Sequence, residues 1–236
     1  MEVTAVDFKT LHEACSVLDA RGIPYVIGGG TAVVIYGRDR RTKDFDIFMN
    51  RDVLRVTMDI LSNAGFTTAD TEKRWLYKVW RDELTIDLIV ETRGGDRIDE
   101  EVMARSRMID HFGQDFRIMG PEDTLYRKIL TQLPGRPDWY DALSIIERQD
   151  GQLDWTYFLS RAQRYPRRVL GFLLFAQTEL HVPATPRAVG DNVLFQGDTP
   201  GPIPQWVVFS LVRAIWLGGV QPLRSTRQLE DWSKAA

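Results

Sequence analysis

Residues 25–47, with the sequence YVIGGGTAVVIYGRDRRTKDFDI, decide the fold of this chain. Short apolar runs separated by glycines and charges are typical of alternating strands and helices. The stretch predicts a buried strand over 25–27, a glycine turn over 28–30, a helix over 31–36, a basic loop over 38–43 and a second strand over 45–49. A glycine turn directly before a helix start can hold a phosphate, because free backbone N–H groups and the positive end of the helix dipole meet there.

Two carboxylates frame the start of the second strand. Side chains two residues apart on a strand point the same way, so Asp44 and Asp46 are expected to share one face. Asp87 is the only charged residue between Leu84 and Val90, in a run that otherwise predicts a buried strand. A carboxylate there is costly unless it is paired, bound to metal or at an exposed strand end. Three carboxylates are a common way to hold two magnesium ions, so the three aspartates are predicted Mg²⁺ ligands; hydrogen bonding of Asp87 to backbone or arginine is the alternative.

The glycine turn and the basic loop complete this candidate phosphate site. Gly28, Gly29 and Gly30 are expected to bind phosphate, although such a turn can also serve only close packing or positive φ angles. The helix that follows is expected to be capped by Thr31, whose hydroxyl can instead donate to a phosphate. The loop has four basic groups in six residues, a pattern most often solvated. Its place before the carboxylates also favours contact with a triphosphate, with Arg41 and Thr42 expected nearest.

Bulk properties indicate an ordinary globular protein. The chain has 236 residues, 44% hydrophobic and 27% charged, with a formal net charge of −3, which excludes a globally basic nucleic-acid coat but not a local basic patch. Its one cysteine, Cys15, cannot form an internal disulfide and is expected to be a buried structural thiol. No N-terminal signal or apolar run long enough for a membrane span is seen. We therefore expect a soluble, cytoplasmic protein that does not enter a membrane.

The remaining pattern predicts an α+β fold. Strands are expected over 76–81 and 84–91 with a tight turn between them, and helices over 6–21, 52–63, 122–133, 138–149, 155–163, 169–179 and 205–217. Residues 181–204 carry five prolines and three glycines and are predicted to be a long loop or lid. We expect a mixed-sheet domain with flanking helices over residues 1–120 and a helical domain over 121–236.

The Gly-Gly-Gly-Thr-Ala run, the Arg-x-Thr-x-Asp-Phe-Asp-Ile run and the later Thr-Ile-Asp-Leu run together resemble the nucleotidyltransferase fold of the DNA polymerase β superfamily. The resemblance implies that the three glycines lie at the phosphate turn and that the three aspartates bind the metal ions. It departs from the usual pattern in one respect, because a third glycine stands where a serine hydroxyl is common.

A second resemblance involves residues 121–128, PEDTLYRK, and 135–141, GRPDWYD. These runs look like the downstream motifs of AbiEii-type nucleotidyltransferases, the toxin components of bacterial toxin–antitoxin systems. The resemblance implies that Lys128 contacts the nucleotide phosphates and that Asp138 or Asp141 orients Lys128 or the acceptor. Residues 121–150 would then complete the active site. From the residues alone, a snorkelling Lys128 and a helix-capping Asp138 are the alternatives.

These patterns lead to one expected function and two alternatives. We expect a Mg²⁺-dependent transfer of NMP from an NTP to a hydroxyl acceptor, with tRNA or protein as acceptor and a cognate antitoxin protein as partner. The same site in an antibiotic-modifying enzyme is the second possibility. A non-catalytic nucleotide-binding or regulatory protein is the third, against which the presence of all three carboxylates speaks. Residues 151–236 resemble no family, so the acceptor stays open.

Overall fold

A computed structural model of the protein describes residues 5–71, 73–92, 95–131, 138–180, 186–189, 192–195 and 202–217. The helices in these ranges are α1 (Ala5–Asp19), α2 (Gly29–Tyr36), α3 (Arg51–Asn63), α4 (Glu100–Ala104), α5 (Pro121–Thr131), α6 (Asp138–Arg148), α7 (Trp155–Ala162), α8 (Pro166–Glu179) and α9 (Gln205–Leu217). The strands are β1 (Tyr25–Ile27), β2 (Phe45–Met49), β3 (Thr67–Asp70), β4 (Leu76–Arg81), β5 (Leu84–Ile89), β6 (Arg107–His111), β7 (Gln114–Ile118), β8 (Pro186–Val189) and β9 (Asn192–Phe195).

The chain divides into two compact units, Met1–Ile145 and Ile146–Ala236. The first holds the large sheet, α1 to α5 and most of α6, whereas the described part of the second is mostly helical. The predicted α+β class is confirmed. The domain boundary predicted at residue 120 stays a prediction. No helix in the described ranges has the length and apolarity needed to cross a membrane.

The sheet of the first unit is mixed, with strand order β3-β4-β5-β2-β1-β7-β6. Strand β2 runs parallel to β5, and β1 runs parallel to β7, while the other neighbours are antiparallel. The register sets Asp46 opposite Asp87, and Asp87 opposite Lys78. Because paired residues on adjacent strands point to the same face, these three charged residues form one row across the sheet.

An apolar row lies next to the charged row on the same face of the sheet. Its members are paired with one another and buried: Val26, Phe48, Ile89 and Leu76. They form a hydrophobic cluster with Ile98, Met119 and Val102 of α4. A slip of one residue in β2 or β5 would move this cluster to the other face, so the apolar row fixes the register of the charged row.

The opposite face of the sheet is apolar and covered by helices. Phe45 and Ile47 of β2 are fully buried there, and α1 packs against β5, β7 and α3. On α1, Cys15 is a free and buried thiol, and burial raises its pKa to about 12. The predicted burial of this thiol is therefore confirmed, and its raised pKa disfavours the reactive thiolate.

Most of the predicted elements are present, and the exceptions have local causes. Strand β3 was not predicted, because Thr67-Thr-Ala-Asp70 is a polar, partly exposed edge strand without apolar alternation. The short helix α4 was also not predicted; the side chain of Asp99 caps it by accepting a hydrogen bond from the Val102 N–H group at 2.9 Å. The predicted two-residue turn at Asp82-Glu83 is confirmed, with Asp82 at a φ of 54°.

The prediction of a continuous loop over 181–204 is wrong where the structure describes it. Strands β8 and β9 pair there in antiparallel fashion. Two residues separate them in sequence, which is the spacing of a β-hairpin. The many prolines and glycines around them favoured the prediction of a loop over that of strands. Residues 181–185, 190–191 and 196–201 lie outside the described ranges.

A buried ion pair joins α5 to the segment after β5. The Arg127 Nη1 atom lies 2.6 Å from Asp96 Oδ2, and both side chains are less than one-tenth exposed. Arg127 also donates hydrogen bonds to the Thr92 hydroxyl and to the Arg97 carbonyl oxygen, both at 3.1 Å. Its guanidinium stands 5.3 Å from the ring centroid of Phe48. This network holds α5, and therefore the following residue Lys128, against the charged face of the sheet.

We expect Arg127→Met to lower the free energy of unfolding by about 3–5 kcal/mol, because the buried Asp96 would keep its charge and lose the guanidinium. Urea unfolding followed by circular dichroism measures this change. Arg55→Met is the matched control: it breaks the Arg55–Asp70 pair, whose side chains are both more than half exposed, so water screens the charge left behind. Equal losses in the two variants would contradict the structural role of Arg127.

Candidate active site

The glycine turn between β1 and α2 packs directly on Asp46. The Gly28 N–H group donates to the Asp46 carbonyl oxygen at 2.9 Å. Gly29 has a φ of +56°, and a Cβ atom added to it would lie 1.6 Å from Asp46 Oδ2. Only glycine therefore fits there, both for its backbone conformation and for the space that the carboxylate needs. Helix α2 begins at Gly29, so its first N–H groups lie beside Asp46, and Gly30 donates a backbone hydrogen bond to that carboxylate.

Asp46 is the most strongly perturbed carboxylate of this site. Burial and the neighbouring charge of Asp44 raise its pKa to about 7, and Asp87 adds to the effect. Lys128 and the Gly30 N–H group act in the opposite direction without cancelling it. The site is thus short of positive charge around Asp46, which is the electrostatic setting that a bound cation corrects.

Asp87 is held by a lysine from the neighbouring strand. Its Oδ1 atom lies 2.6 Å from the Lys78 Nζ atom, and its side chain is 12% exposed. Burial raises the pKa of Asp87, and the ammonium of Lys78 opposes that rise. Asp44 also raises the pKa of Asp87, so the charges of all three aspartates are coupled.

The aspartates fit a divalent cation in charge and in ligand type, since hard cations prefer carboxylate oxygens. The observation that supports this fit is the strand register, which sets the carboxylates of Asp46 and Asp87 opposite each other. Within the described ranges, however, no three His, Cys, Asp or Glu side chains converge closely enough to form a ready metal cage. The Asp87 Oδ1 atom accepts a hydrogen bond from Lys78 Nζ. The assignment of Asp44, Asp46 and Asp87 as metal ligands stays a prediction.

A cluster of three cations surrounds one fully buried carboxylate on the other side of the glycine turn. The Asp141 side chain accepts hydrogen bonds from Arg38 Nε and Nη2 at 2.9 and 2.7 Å, and from Arg40 Nη1 at 2.5 Å. The Lys128 Nζ atom lies 3.1 Å from Asp141 Oδ2. Although burial raises the pKa of Asp141, Lys128, Arg38 and Arg40 together bring it below the ordinary value. We call Arg38, Arg40 and Lys128 the cation cluster.

Lys128 contacts both of the aspartates that the sequence offered as alternatives. Its Nζ atom lies 3.1 Å from Asp138 Oδ1 as well as from Asp141. Asp138 and Asp141 stand three residues apart on α6 and therefore face the same side of that helix. Asp138 is the first residue of α6, and residues 132–137 before it lie outside the described ranges.

The basic loop enters the site through different residues from those expected. Arg41 is exposed, whereas Arg38 and Arg40 bind Asp141. Thr42 is buried, as predicted for a residue near the site, and its hydroxyl donates to the Asp44 carbonyl oxygen at 2.9 Å. A Cβ atom on Gly30 would lie 2.6 Å from the Thr42 hydroxyl and 3.9 Å from Arg40 Cζ, so both side chains cover the start of α2. In the sequence, Arg38, Arg40 and Thr42 stand two residues apart from one another, and this spacing was the available sign that they lie on one side of the loop.

Thr31 does not cap α2. The helix begins two residues earlier than predicted, with Gly28 at the N-cap position and no side-chain hydrogen bond to it. The Thr31 hydroxyl is buried and has no hydrogen-bond partner. A bound ligand can therefore use it without breaking an internal hydrogen bond.

A match to a family model shows that this chain is a nucleotidyltransferase. A family model described as "Nucleotidyl transferase of unknown function (DUF2204)" matches residues 7–174. The chain belongs to this family. No curated protein matches the chain in sequence.

Solved structures with similar folds share little sequence with the chain. The lincosamide antibiotic adenylyltransferase LnuA is 13% identical, with 61% of this chain and 98% of that one covered and a TM-score of 0.44. The antibiotic-resistance factor ANT(2'')-Ia is 14% identical, with 72% and 94% covered and a TM-score of 0.47. A nucleotidyltransferase from H. pylori is 15% identical, with 75% and 83% covered and a TM-score of 0.42.

We expect Gly29→Ala to destabilise the first unit and to displace the Asp46 carboxylate, because the new methyl group would occupy its place. Gly65→Ala is the matched control, since Gly65 also has a positive φ, +88°, but nothing lies within 4 Å of an added Cβ. The control should lose only the backbone term of about 1–2 kcal/mol. Urea unfolding measures both variants, and equal losses would contradict the close contact between Gly29 and Asp46.

We expect Asp46→Asn to stabilise the metal-free protein at pH 8 and to change its stability little at pH 4. Asp46 ionises near 3.8 when unfolded and at about 7 when folded, so the folded state binds more protons between these values. Stability therefore falls as the pH rises from about 4 to about 7, and asparagine removes this loss.

Chemical denaturation across pH tests this prediction. Asp70→Asn is the control of opposite sign, because Arg55 lowers the pKa of Asp70, so this variant should lose stability at pH 8. If the stability of the wild-type protein changed between pH 4 and pH 8 by the same amount as that of Asp46→Asn, the pKa of Asp46 would not be raised in the folded state.

Proposed function

We propose that this protein is a Mg²⁺-dependent nucleotidyltransferase that moves NMP from an NTP to a hydroxyl acceptor. The observation that carries the proposal is the position of Asp46: it lies between Asp87 on one side and the N-terminus of α2 with the cation cluster on the other. Carboxylates that can bind a metal ion therefore lie next to N–H groups and cations that can bind phosphate. Catalysis of phosphoryl and nucleotidyl transfer consists mainly of positioning and of stabilising negative charge, which such a site supplies.

The triphosphate is assigned to the side of the glycine turn. Gly28, Gly29 and Gly30 line the start of α2, where the positive end of the helix dipole favours phosphate oxygens. The N–H groups of Gly28 and Gly30 donate to Asp46, so we assign the backbone donor for phosphate to Gly29. Lys128 and Arg40 both contact the Asp141 Oδ2 atom. The two cations can therefore lie close together, because the carboxylate between them reduces their repulsion. The Thr31 hydroxyl and Thr42, which covers Gly30, complete the nucleotide-binding residues that we propose. We add Arg38 and Arg40, which bind Asp141, to Arg41 in this role.

The metal side is assigned to the three aspartates. Asp44 and Asp46 would hold both magnesium ions, and Asp87 would complete the site of the ion that faces the acceptor. When bound, two such ions stabilise the attacking and the leaving oxygens of an in-line displacement. The pairing of Asp87 with Lys78 through one oxygen leaves Oδ2 available for this task.

The reaction exchanges one P–O bond for another. The acceptor oxygen attacks the α-phosphorus, the bond from that phosphorus to the α,β-bridging oxygen breaks, and pyrophosphate leaves with the bonding electron pair. The proton of the acceptor hydroxyl passes to Asp87. Lys128, Arg38 and Arg40 stabilise the charge of the departing pyrophosphate, and Asp138 and Asp141 hold Lys128 in place.

The finer assignment is that of an AbiEii-type toxin, which modifies tRNA or protein and is neutralised by a partner antitoxin. It is supported by the joint contact of Lys128 with Asp138 and Asp141, the pair that the resemblance implicated. An antibiotic acceptor is the alternative of the same chemistry. A non-catalytic nucleotide-binding protein is the alternative of another class.

Incubation with labelled NTPs and Mg²⁺, in parallel with cell RNA, cell protein and a panel of antibiotics, separates these possibilities. We expect label in one macromolecular fraction and none of it in Asp46→Ala. Arg40→Met should weaken NTP binding roughly tenfold or more, since a charge-assisted hydrogen bond is lost. Asp70→Asn, an exposed carboxylate on the same sheet, should transfer normally.

Three results would count against the proposal. Undiminished transfer by Asp46→Ala would remove the carboxylates from the mechanism. Label in the antibiotic panel alone would select the drug-modifying alternative. Failure of the wild-type protein to bind Mg-NTP in calorimetry would favour the non-catalytic one.

A further inference from the structure

The two oxygens of the Asp141 carboxylate contact different members of the cation cluster. Oδ2 lies 2.5 Å from Arg40 Nη1 and 3.1 Å from Lys128 Nζ. Oδ1 accepts both of its hydrogen bonds from Arg38, from Nε at 2.9 Å and from Nη2 at 2.7 Å. Asp141 therefore separates Arg38 from the other two cations.

The glycine turn lies on the side of Arg40. The Asp46 carboxylate packs directly on this turn, and the position of a Cβ atom on Gly30 would be 3.9 Å from Arg40 Cζ. Lys128 contacts the same carboxylate oxygen as Arg40, whereas Arg38 contacts the other oxygen. From Asp46 outward, the order is therefore the glycine turn, Arg40 with Lys128, and then Arg38.

The backbone of Arg38 is also anchored to α6. Its N–H group donates to the Ser144 hydroxyl at 3.1 Å, and that hydroxyl donates to the Asp141 carbonyl oxygen at 2.8 Å. The preceding residue, Gly37, packs so closely that an added Cβ atom would lie 2.5 Å from Ser144 Oγ and 3.1 Å from the Ile145 backbone nitrogen. Because both ends of the Arg38 side chain are bound to α6, its guanidinium has a defined position before a ligand binds.

The negative charge around the cluster is unevenly distributed. Lys128 contacts two carboxylates, those of Asp138 and Asp141. Within the part of the chain that the structure describes, Arg38 and Arg40 have only Asp141 as an ion-pair partner, and they share it. The two guanidiniums therefore retain more uncompensated positive charge than Lys128 does.

Arg38 is the member of the cluster that is most accessible to a ligand. Its side chain is 40% exposed, compared with 27% for Arg40 and 12% for Lys128. A guanidinium has five N–H donors, and the two on Arg38 Nη1 have no partner among the described residues. Asp39, between the two arginines, is exposed and forms no ion pair there. Arg38 can therefore bind a further anion while it keeps its carboxylate partner.

We propose that Arg38 binds the γ-phosphate of the nucleotide and thereby selects an NTP over an NDP. The inference rests on the proposed nucleotidyl transfer, in which the α-phosphorus reacts beside Asp46, and it deepens that proposal by dividing the work of the cation cluster. A triphosphate that extends outward from Asp46 meets Arg40 and Lys128 with its β-phosphate and Arg38 with its γ-phosphate. A planar guanidinium suits this terminal group, because two of its donors can bind two phosphate oxygens.

Calorimetry with the full chain and Mg²⁺ tests this assignment. The first probes are the α,β-methylene analogues of ATP, GTP, CTP and UTP, in which the bond that would break in the transfer is blocked. The analogue that binds most tightly is then compared with the α,β-methylene NDP of the same base. The two probes differ only in the γ-phosphate, so the ratio of their dissociation constants reports the contacts of that group.

We expect the wild-type protein to bind the NTP analogue about tenfold or more tightly than the NDP analogue, because charge-assisted hydrogen bonds to the γ-phosphate are present only with the NTP. Arg38→Met should remove most of this difference by weakening the NTP analogue and leaving the NDP analogue nearly unchanged. Arg40→Met should weaken both analogues alike, since its contact is with the β-phosphate.

Two further variants make the test specific. Arg38→Lys keeps the charge but not the two-pronged geometry, so it should weaken the NTP analogue less than Arg38→Met and leave the NDP analogue unchanged. This variant also serves as the test if circular dichroism shows that Arg38→Met does not fold. Lys43→Met is the matched control, an exposed cation in the same loop, and should change neither affinity.

The outcomes distinguish this inference from the proposed function. Equal affinity of the wild-type protein for the two analogues would overturn the assignment of Arg38 alone. An equal loss of affinity for both analogues in the Arg38 variants would also overturn it, because the residue would then act only through its general charge. A wild-type protein that binds none of the four NTP analogues would instead contradict the proposed function.

Discussion

The pairing of β2 with β5 is the constraint on which this molecule depends. It sets two carboxylates side by side in a buried sheet, where like charges repel and water is scarce. The apolar row beside them leaves no other register, because a slip of one residue would turn Asp46 or Asp87 toward the apolar face that the helices cover. Two cations reduce the repulsion between the carboxylates: Lys78 on the neighbouring strand pairs with Asp87, and Lys128 on α5 lowers the pKa of Asp46. The negative charge that stays uncompensated at Asp46 is the reason for the proposal that this residue binds a metal ion.

Asp141 has the opposite role, because it brings three positively charged side chains together. Two arginines and a lysine would repel one another at the distances observed, and the buried carboxylate of Asp141 between them reduces that repulsion. Asp141, with Asp138 beside Lys128, also fixes the orientation of the three flexible side chains before any ligand arrives. Preorganised cations of this kind stabilise developing charge without having to reorganise during the reaction.

The sequence predicted the parts of this site that depend on local pattern. Asp44, Asp46 and Asp87 became candidates because a carboxylate in an apolar strand is conspicuous, and the glycines because they interrupt a strand before a helix; their roles stay predictions. Arg38 and Arg40 were missed, since only the fold brings Asp141 to them from about a hundred residues away. The edge strand β3 was missed because its side chains are polar. Lys78 was overlooked because its role comes from cross-strand register, which a single strand does not reveal.

The distance along the chain between Arg38 and Asp141 has a consequence for biosynthesis. Synthesis proceeds from the N-terminus, so the glycine turn and all three aspartates leave the ribosome before α6 does. Until α6 emerges, Arg38, Arg40 and Lys128 have no common counter-charge, and their mutual repulsion opposes their gathering. The nascent chain therefore acquires its complete charge arrangement only after more than half of it has been translated.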